Sequence, residues 1–221
     1  MLLLAMAALS LPLAALADGE ATFAMGPDQA ETMTLIWKNA NTLRMQPPGS
    51  PDYLIVRDGK AYSVTDVDGT PQVIAMADMM KMMGAMAGNA AQPQSKTPFG
   101  SIASVKATGA TETVAGIEGR VHHMTWTDAD GSKKSGDAVL TDNPLVVEMT
   151  RAYLGSITAI FGSDIGQSFW DAVPGNDRGL LRVSDQFQVK SISAATSPAS
   201  TFELPAKPVD LQQIMRGTDG R

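Results

Sequence analysis

Three Asp-Gly pairs, Asp58-Gly59, Asp68-Gly69 and Asp130-Gly131, each separate two runs of β-forming residues. Asp-Gly is a pair that readily takes the left-handed backbone conformations of a tight hairpin. The first two pairs therefore join residues 53–57, 60–65 and 72–75 into an antiparallel meander. The third, inside the turn 128–131, joins the long strand 117–127 to 135–141. Ahead of the meander lie strands at 21–25, 32–38 and 42–46, parted by turns at Pro27-Asp28-Gln29 and Asn39-Ala40-Asn41. Pro47-Pro48-Gly49-Ser50-Pro51 stops the last of these, because proline withdraws a ladder donor and fixes an extended loop. Short strands at 104–108, 112–114, 180–183, 187–193 and 201–204 complete the set.

Two segments break this pattern with helical spacing. Residues 76–86 follow the meander directly. Further on, Asn143 can cap a helix with Pro144 at its first position, and Leu145, Val146, Met149, Tyr153, Ile157 and Ile160 recur along it until Gly162. The β-branched content of this second segment leaves strand open as an alternative to helix. Residues 164–171 add a helical turn before Pro174-Gly175, and 208–215 a short closing helix. The polar, proline-containing stretch 88–100 is a loop. Many short strands with two helices between them predict an α+β fold, a single curved antiparallel sheet with helices covering its concave face.

The segment 76–86 holds six of the chain's 14 methionines. At helical spacing Met76, Met79, Met80, Met83 and Met86 share one broad face, with Met82 at its edge and Asp78 and Lys81 opposite. Thioether side chains are unbranched and polarizable, so such a face can re-pack around partners of different shape. Three readings follow: a helix that faces the core, an adaptable hydrophobic binding surface or lid, and a soft Cu(I) site.

Residues 1–17 are apolar apart from Ser10 and end in Ala15-Leu16-Ala17, the form of a secretory signal peptide cleaved after Ala17. This predicts a periplasmic protein whose single domain covers residues 18–221. With Cys 0 there is neither disulfide nor thiol chemistry, nor a cysteine for lipid attachment. A net charge of −6 without a basic run argues against nucleic acid as a partner. No segment after residue 17 is apolar for long enough to span a bilayer, so an integral membrane protein is not expected.

Catalytic and cofactor motifs are missing. Asp66-Val-Asp68-Gly-Thr70 and Asp128-Ala-Asp130-Gly-Ser132 resemble calcium loops, but their sixth positions are Pro71 and Lys133 where the sharp turn needs glycine. Adjacent strand residues point to opposite faces, so His122 and His123 cannot chelate one ion together. His122 shares its face with Met124 and Trp126, which leaves a mixed His/Met copper site conceivable. Gly162-Ser163-Asp164-Ile165-Gly166 has its serine one place early for a nucleophile elbow, and no phosphate-binding glycine loop exists. These residues predict a protein that is not an enzyme and uses no cofactor.

Leu35-Ile-Trp-Lys38, Leu43-Arg-Met45 and the run Tyr53-Leu-Ile-Val-Arg-Asp-Gly-Lys-Ala-Tyr62 resemble the strand, loop and hairpin pattern of the periplasmic lipoprotein carrier family of LolA and LolB. Val114-Ala-Gly-Ile-Glu-Gly-Arg-Val121 resembles its central strand, and Thr201-Phe-Glu-Leu-Pro205 with Val209-Asp210 its closing strand. The resemblance implies an incomplete β-barrel whose concave apolar side, covered by helices, takes acyl chains. Two features depart from the family. Asn39 follows Lys38 where the carrier has a lid-anchoring arginine, and nothing between Asp18 and the first strand matches its N-terminal helix. The methionine segment then stands as a substitute lid. The function expected is binding of a hydrophobic ligand, a lipid, an acyl chain or a lipidated protein or peptide, between sheet and helix. Its residues are Met76, Met79, Met80, Met83 and Met86, with Trp37 as a further wall. Cu(I) buffering by the thioethers and a purely structural envelope role are the alternatives.

Overall fold

A computed structural model describes residues 18–26, 29–86, 101–128, 131–162, 165–173, 175 and 178–211. The predicted signal peptide, the loop 88–100 and the second half of the predicted closing helix lie outside the described residues.

The described residues form an 11-stranded antiparallel sheet made of two meanders. The first runs in chain order through β1 (Gly19–Met25), β2 (Glu31–Asn39), β3 (Thr42–Gln46), β4 (Tyr53–Arg57), β5 (Lys60–Val67) and β6 (Thr70–Ala75). The second comprises β7 (Ser101–Val114), β8 (Ile117–Thr127), β9 (Lys133–Thr141), β10 (Gly179–Val183) and β11 (Phe187–Ala194). Pairing of β1 with β11, from Gly19↔Ala194 to Met25↔Phe187, joins them, and β6 and β7 are the two edges of an unclosed sheet. Helix α1 (Met76–Met86) lies between the meanders in sequence, and α2 (Pro144–Phe161) and α3 (Ile165–Ala172) connect β9 to β10.

The Asp-Gly turns form as the residues require. Asp58 and Gly59 have φ of 53° and 71°, Asp68 and Gly69 of 53° and 77°, and each pair is the whole loop between Arg57↔Lys60 and Val67↔Thr70. Residues 104–108 and 112–114, read as separate strands, are one strand, β7. Between its pairs Ala107↔His122 and Thr111↔Arg120 three residues of β7 oppose one of β8, with Gly109 at φ +84°. The glycine that made the sequence look interrupted marks a bulge, which bends a strand without ending it.

The β7 end of the sheet curls. β7 lies four places from β11, about 19 Å away in a flat sheet at ordinary strand spacing, yet the two strands touch. Glu112 of β7 also accepts two hydrogen bonds from Arg182 of β10, at 2.9 and 2.8 Å, across two intervening strands.

Helix α2 is the centre of the main core. It packs against β1, β2, β3, β5, β10 and β11, and buries Val146, Met149, Ala152, Tyr153, Leu154 and Ile157. Phe23, Leu35, Trp37, Leu43, Leu181 and Phe187 supply the sheet side. A second apolar cluster, Ile55, Val64 and Val73, occupies the other face of β4, β5 and β6. This explains the unbroken apolar run Leu54-Ile55-Val56, since Val56 belongs to one core and Ile55 to the other.

The returning C-terminal segment covers that second cluster, though not as the strand expected at 201–204. Ala199–Phe202 is a 3-10 turn, with Thr201 N donating to the Pro198 carbonyl at 3.0 Å. Pro198 and Pro205 bracket the segment and deny it ladder donors. Instead of pairing along its length it buries Phe202, packs Leu204 beside Tyr53 and Tyr62, and donates Val209 N to the Val73 carbonyl of edge strand β6 at 2.8 Å.

Candidate functional site

Local chemistry defines both ends of α2, as its sequence foretold, and resolves the helix-or-strand choice. The Asn143 side chain accepts from Leu145 N and Val146 N, Pro144 needs no donor at the first turn, and Gly162 ends the helix at φ 67° with its N–H on the Thr158 carbonyl. Mid-helix, Thr150 Oγ1 donates to the Val146 carbonyl and accepts from Leu180 N, both at 2.8 Å, which pins α2 to β10. A Cβ on Gly155 would stand 2.5 Å from the Ala40 carbonyl oxygen, so only glycine admits the β2–β3 turn this close. These ties leave the C-terminal half of α2 lying over the β1–β11 seam. There Phe23, Phe187 and Tyr153 pack ring to ring, with centroids 5.1–5.3 Å apart.

Beside this aromatic trio opens a cleft of about 620 Å³. Met25, Met45, Trp126, Tyr153, Ile157, Ile160 and Phe161 make its apolar surface, and Glu31, Asp128, Lys134, Ser135, Ser184, Asp185 and Gln186 its polar part. The strands explain the assembly. Met25 pairs with Glu31 and Leu35 with Met45, so alternation puts both methionines on the face that carries Leu35. The β10–β11 turn folds onto β9, where Ser184 N donates to the Asp137 carbonyl at 2.8 Å. Gly136 allows it, since a Cβ there would lie 2.0 Å from Ser184 Oγ. Trp126 Nε1 donates to Asp128 Oδ1 at 3.1 Å, and the Tyr153 hydroxyl points to Met25 Sδ at 3.7 Å. Burial pushes the Tyr153 phenol up to about 12.

Trp126 and Tyr153 also border a smaller, wholly apolar pocket of about 40 Å³, shared with Phe169, Leu180 and Phe187. A second cleft of about 370 Å³ separates the β2–β3 turn from α2 and α3, with Asn41, Arg151, Gln167 and Trp170 on its walls.

The residues singled out in the sequence lie elsewhere. Helix α1 leaves β6 without a loop and rests against β5, β6 and one side of α2. Met76 packs on the main core, Met79, Met80 and Met82 are half-buried, and Met83 is 52% exposed, while Asp78 and Lys81 pair at 3.7 Å. Helix-wheel geometry puts Met83 on the shared face; the neighbouring strands reach only part of that face, because β6 is the edge of the sheet. Met86 ends the helix, and its side chain lies outside the described residues. Trp37 is 1% exposed, sealed in the core over Gly19, where a Cβ would meet the indole at 2.3 Å. Met76, Met79, Met80, Met83 and Trp37 line none of these three cavities.

The histidines diverge as strand alternation requires. His122 is buried and its Nδ1–H donates to the Arg120 carbonyl at 3.0 Å; His123 faces outward beside Asp137 at 3.3 Å. The cleft residues Met25, Met45 and Trp126 give no sequence signal as a group. Strand register supplies it, by placing isolated residues of β1, β3 and β8 around one helix end. No family model, characterised protein or solved structure matches the chain.

Proposed function

We propose that this is an exported, periplasmic protein that binds a hydrophobic ligand, a lipid, an acyl chain or a lipidated peptide, without covalent chemistry. The observation that carries the reading is the cleft of about 620 Å³, whose apolar surface is continuous with the core and whose polar residues stand at its border. Its volume falls in the range of small-molecule sites. In this reading the sheet curves around α2 with the helices on its concave side, an incomplete barrel like that of LolA and LolB. The approach of β7 to β11 and the reach of α2 from β5 to β10 support that curvature. The apolar wall comes from α2 and strands β1, β3 and β8, with α1 beside α2.

The driving force is removal of hydrocarbon from water, about 0.8 kcal/mol per methylene. A chain with half a dozen methylenes in the cleft would gain about 5 kcal/mol before the cost of immobilising it. Native mass spectrometry of protein recovered from its own cell envelope, with lipid extraction, is expected to find acyl-chain species bound. A neutral naphthylamine dye is expected to bind the emptied protein, and Ile160→Glu to weaken it by about tenfold or more, since it sets a carboxylate on the apolar wall. Protein that is always empty and takes up no dye, or equal dye binding by a folded Ile160→Glu variant, would sink the reading.

A further inference from the structure

We infer that the cleft is built for a cationic amphiphile, an apolar chain ending in an ammonium head. The inference rests on the hydrophobic-ligand reading above and adds the chemistry of the head group. At the border of the cleft, among the described residues, Glu31 of β2, Asp128 at the end of β8 and Asp185 of the β10–β11 turn face a single cation, Lys134 of β9. Among the described residues none of these four side chains enters an ion pair. The hydrogen bonds that do reach the carboxylates come from neutral groups, Trp126 Nε1 on Asp128 at 3.1 Å and Gln186 Nε2 on Asp185 at 2.9 Å. Their charge is therefore oriented without being neutralised.

The three carboxylates are far apart in sequence and meet through the fold. Glu31 arrives by its pairing with Met25, next to Gly26, whose N–H donates to the Gln186 carbonyl at 3.1 Å and so ties the β1–β2 turn to the turn that carries Asp185. Asp128 is held from the other side, its N–H donating to the Ser132 carbonyl at 2.8 Å. An excess of negative charge around a low-dielectric concavity concentrates cations there and repels anions. An ammonium head thus fits this border and a fatty carboxylate does not, while the chain finds Met25, Met45 and Ile160 beneath. Glu31, Lys134 and Asp185 are solvent-exposed, so the effect is moderate and sensitive to salt.

The test holds the chain constant and changes the head. Dodecyl trimethylammonium, dodecyl maltoside and laurate, each below its micelle concentration, are titrated into the protein by calorimetry at low salt. Trimethylammonium is expected to bind about five- to tenfold more tightly than maltoside, with laurate weakest and the gap narrowing as salt rises. The double substitution Glu31→Gln with Asp185→Asn should bring the ammonium-to-maltoside ratio to within about twofold. Glu20→Gln with Glu203→Gln removes the same charge from exposed positions that do not line the cleft and should keep the ratio. Equal binding of all three heads would overturn the inference and leave the hydrophobic-ligand reading standing, whereas no binding of any head would overturn both. A preference that survives Glu31→Gln with Asp185→Asn would assign it to the acidic protein as a whole and overturn the inference as well.

Discussion

Helix α1 carries six methionines in eleven residues, and one of them, Met83, is 52% exposed. Helix α2 carries a single methionine, Met149, with 0% exposure, and it touches strands of both meanders. The contrast is one of position. α1 springs from an edge strand and rests on β5, β6 and α2, whereas α2 is clamped by Thr150 to β10 and by Gly155 to the β2–β3 turn. A methionine in α1 is one apolar side chain among several at a half-open border. In α2 it is part of the packing that holds two meanders together. Concentration of a residue type along the chain therefore does not measure its weight in the structure.

The largest expected effect breaks the α2 side of the comparison. Met149→Ala is expected to cost about 2–5 kcal/mol in chemical denaturation, the range for emptying a packed core position. A loss below about 1 kcal/mol would show that the site collapses freely and that α2 is not the stiffer region.

Next comes alkaline stability. Tyr153 has its phenol raised from 10.0 to about 12 because burial disfavours the phenolate. The unfolded chain ionises near pH 10 while the folded chain stays neutral. The stabilising contribution is thus whole below about pH 10 and is lost as pH rises toward 12, about 2–3 kcal/mol over the two units. Tyr153→Phe should flatten that part of the stability–pH curve. An unchanged alkaline slope would mean that the hydroxyl is solvated through the cleft.

The smallest effect belongs to α1. Met83→Ala is expected to change stability by less than about 0.5 kcal/mol, as for an exposed side chain, and to leave dye binding as in the parent. A measurable drop in dye affinity would draw α1 into the ligand's wall and narrow the difference between the helices.

Much of the architecture was legible in the residues because it depends on local chemistry. Asp58-Gly59 and Asp68-Gly69 turn where they do because few other residues take positive φ cheaply. Asn143, Pro144 and Gly162 bound α2 for reasons contained in single residues. The bulge in β7 and the 3-10 turn at Ala199–Phe202 were less legible. Whether Gly109 ends a strand or bends it depends on pairing with β8, and Phe202 is placed by the strands it covers. The cleft was hidden for the same reason. Met25, Met45 and Trp126 are unremarkable where they stand in the chain, and they converge only through register and the β1–β11 seam.

By itself, then, the sequence determined the hairpins, the ends of α2 and the divergence of His122 from His123, since each follows from backbone preference or from alternation along one strand. Only the tertiary structure decided which apolar residues close into core, which stand around a cleft and which, like Met83, turn outward. Burial is a property of neighbours brought together from distant parts of the chain, and no local pattern contains it.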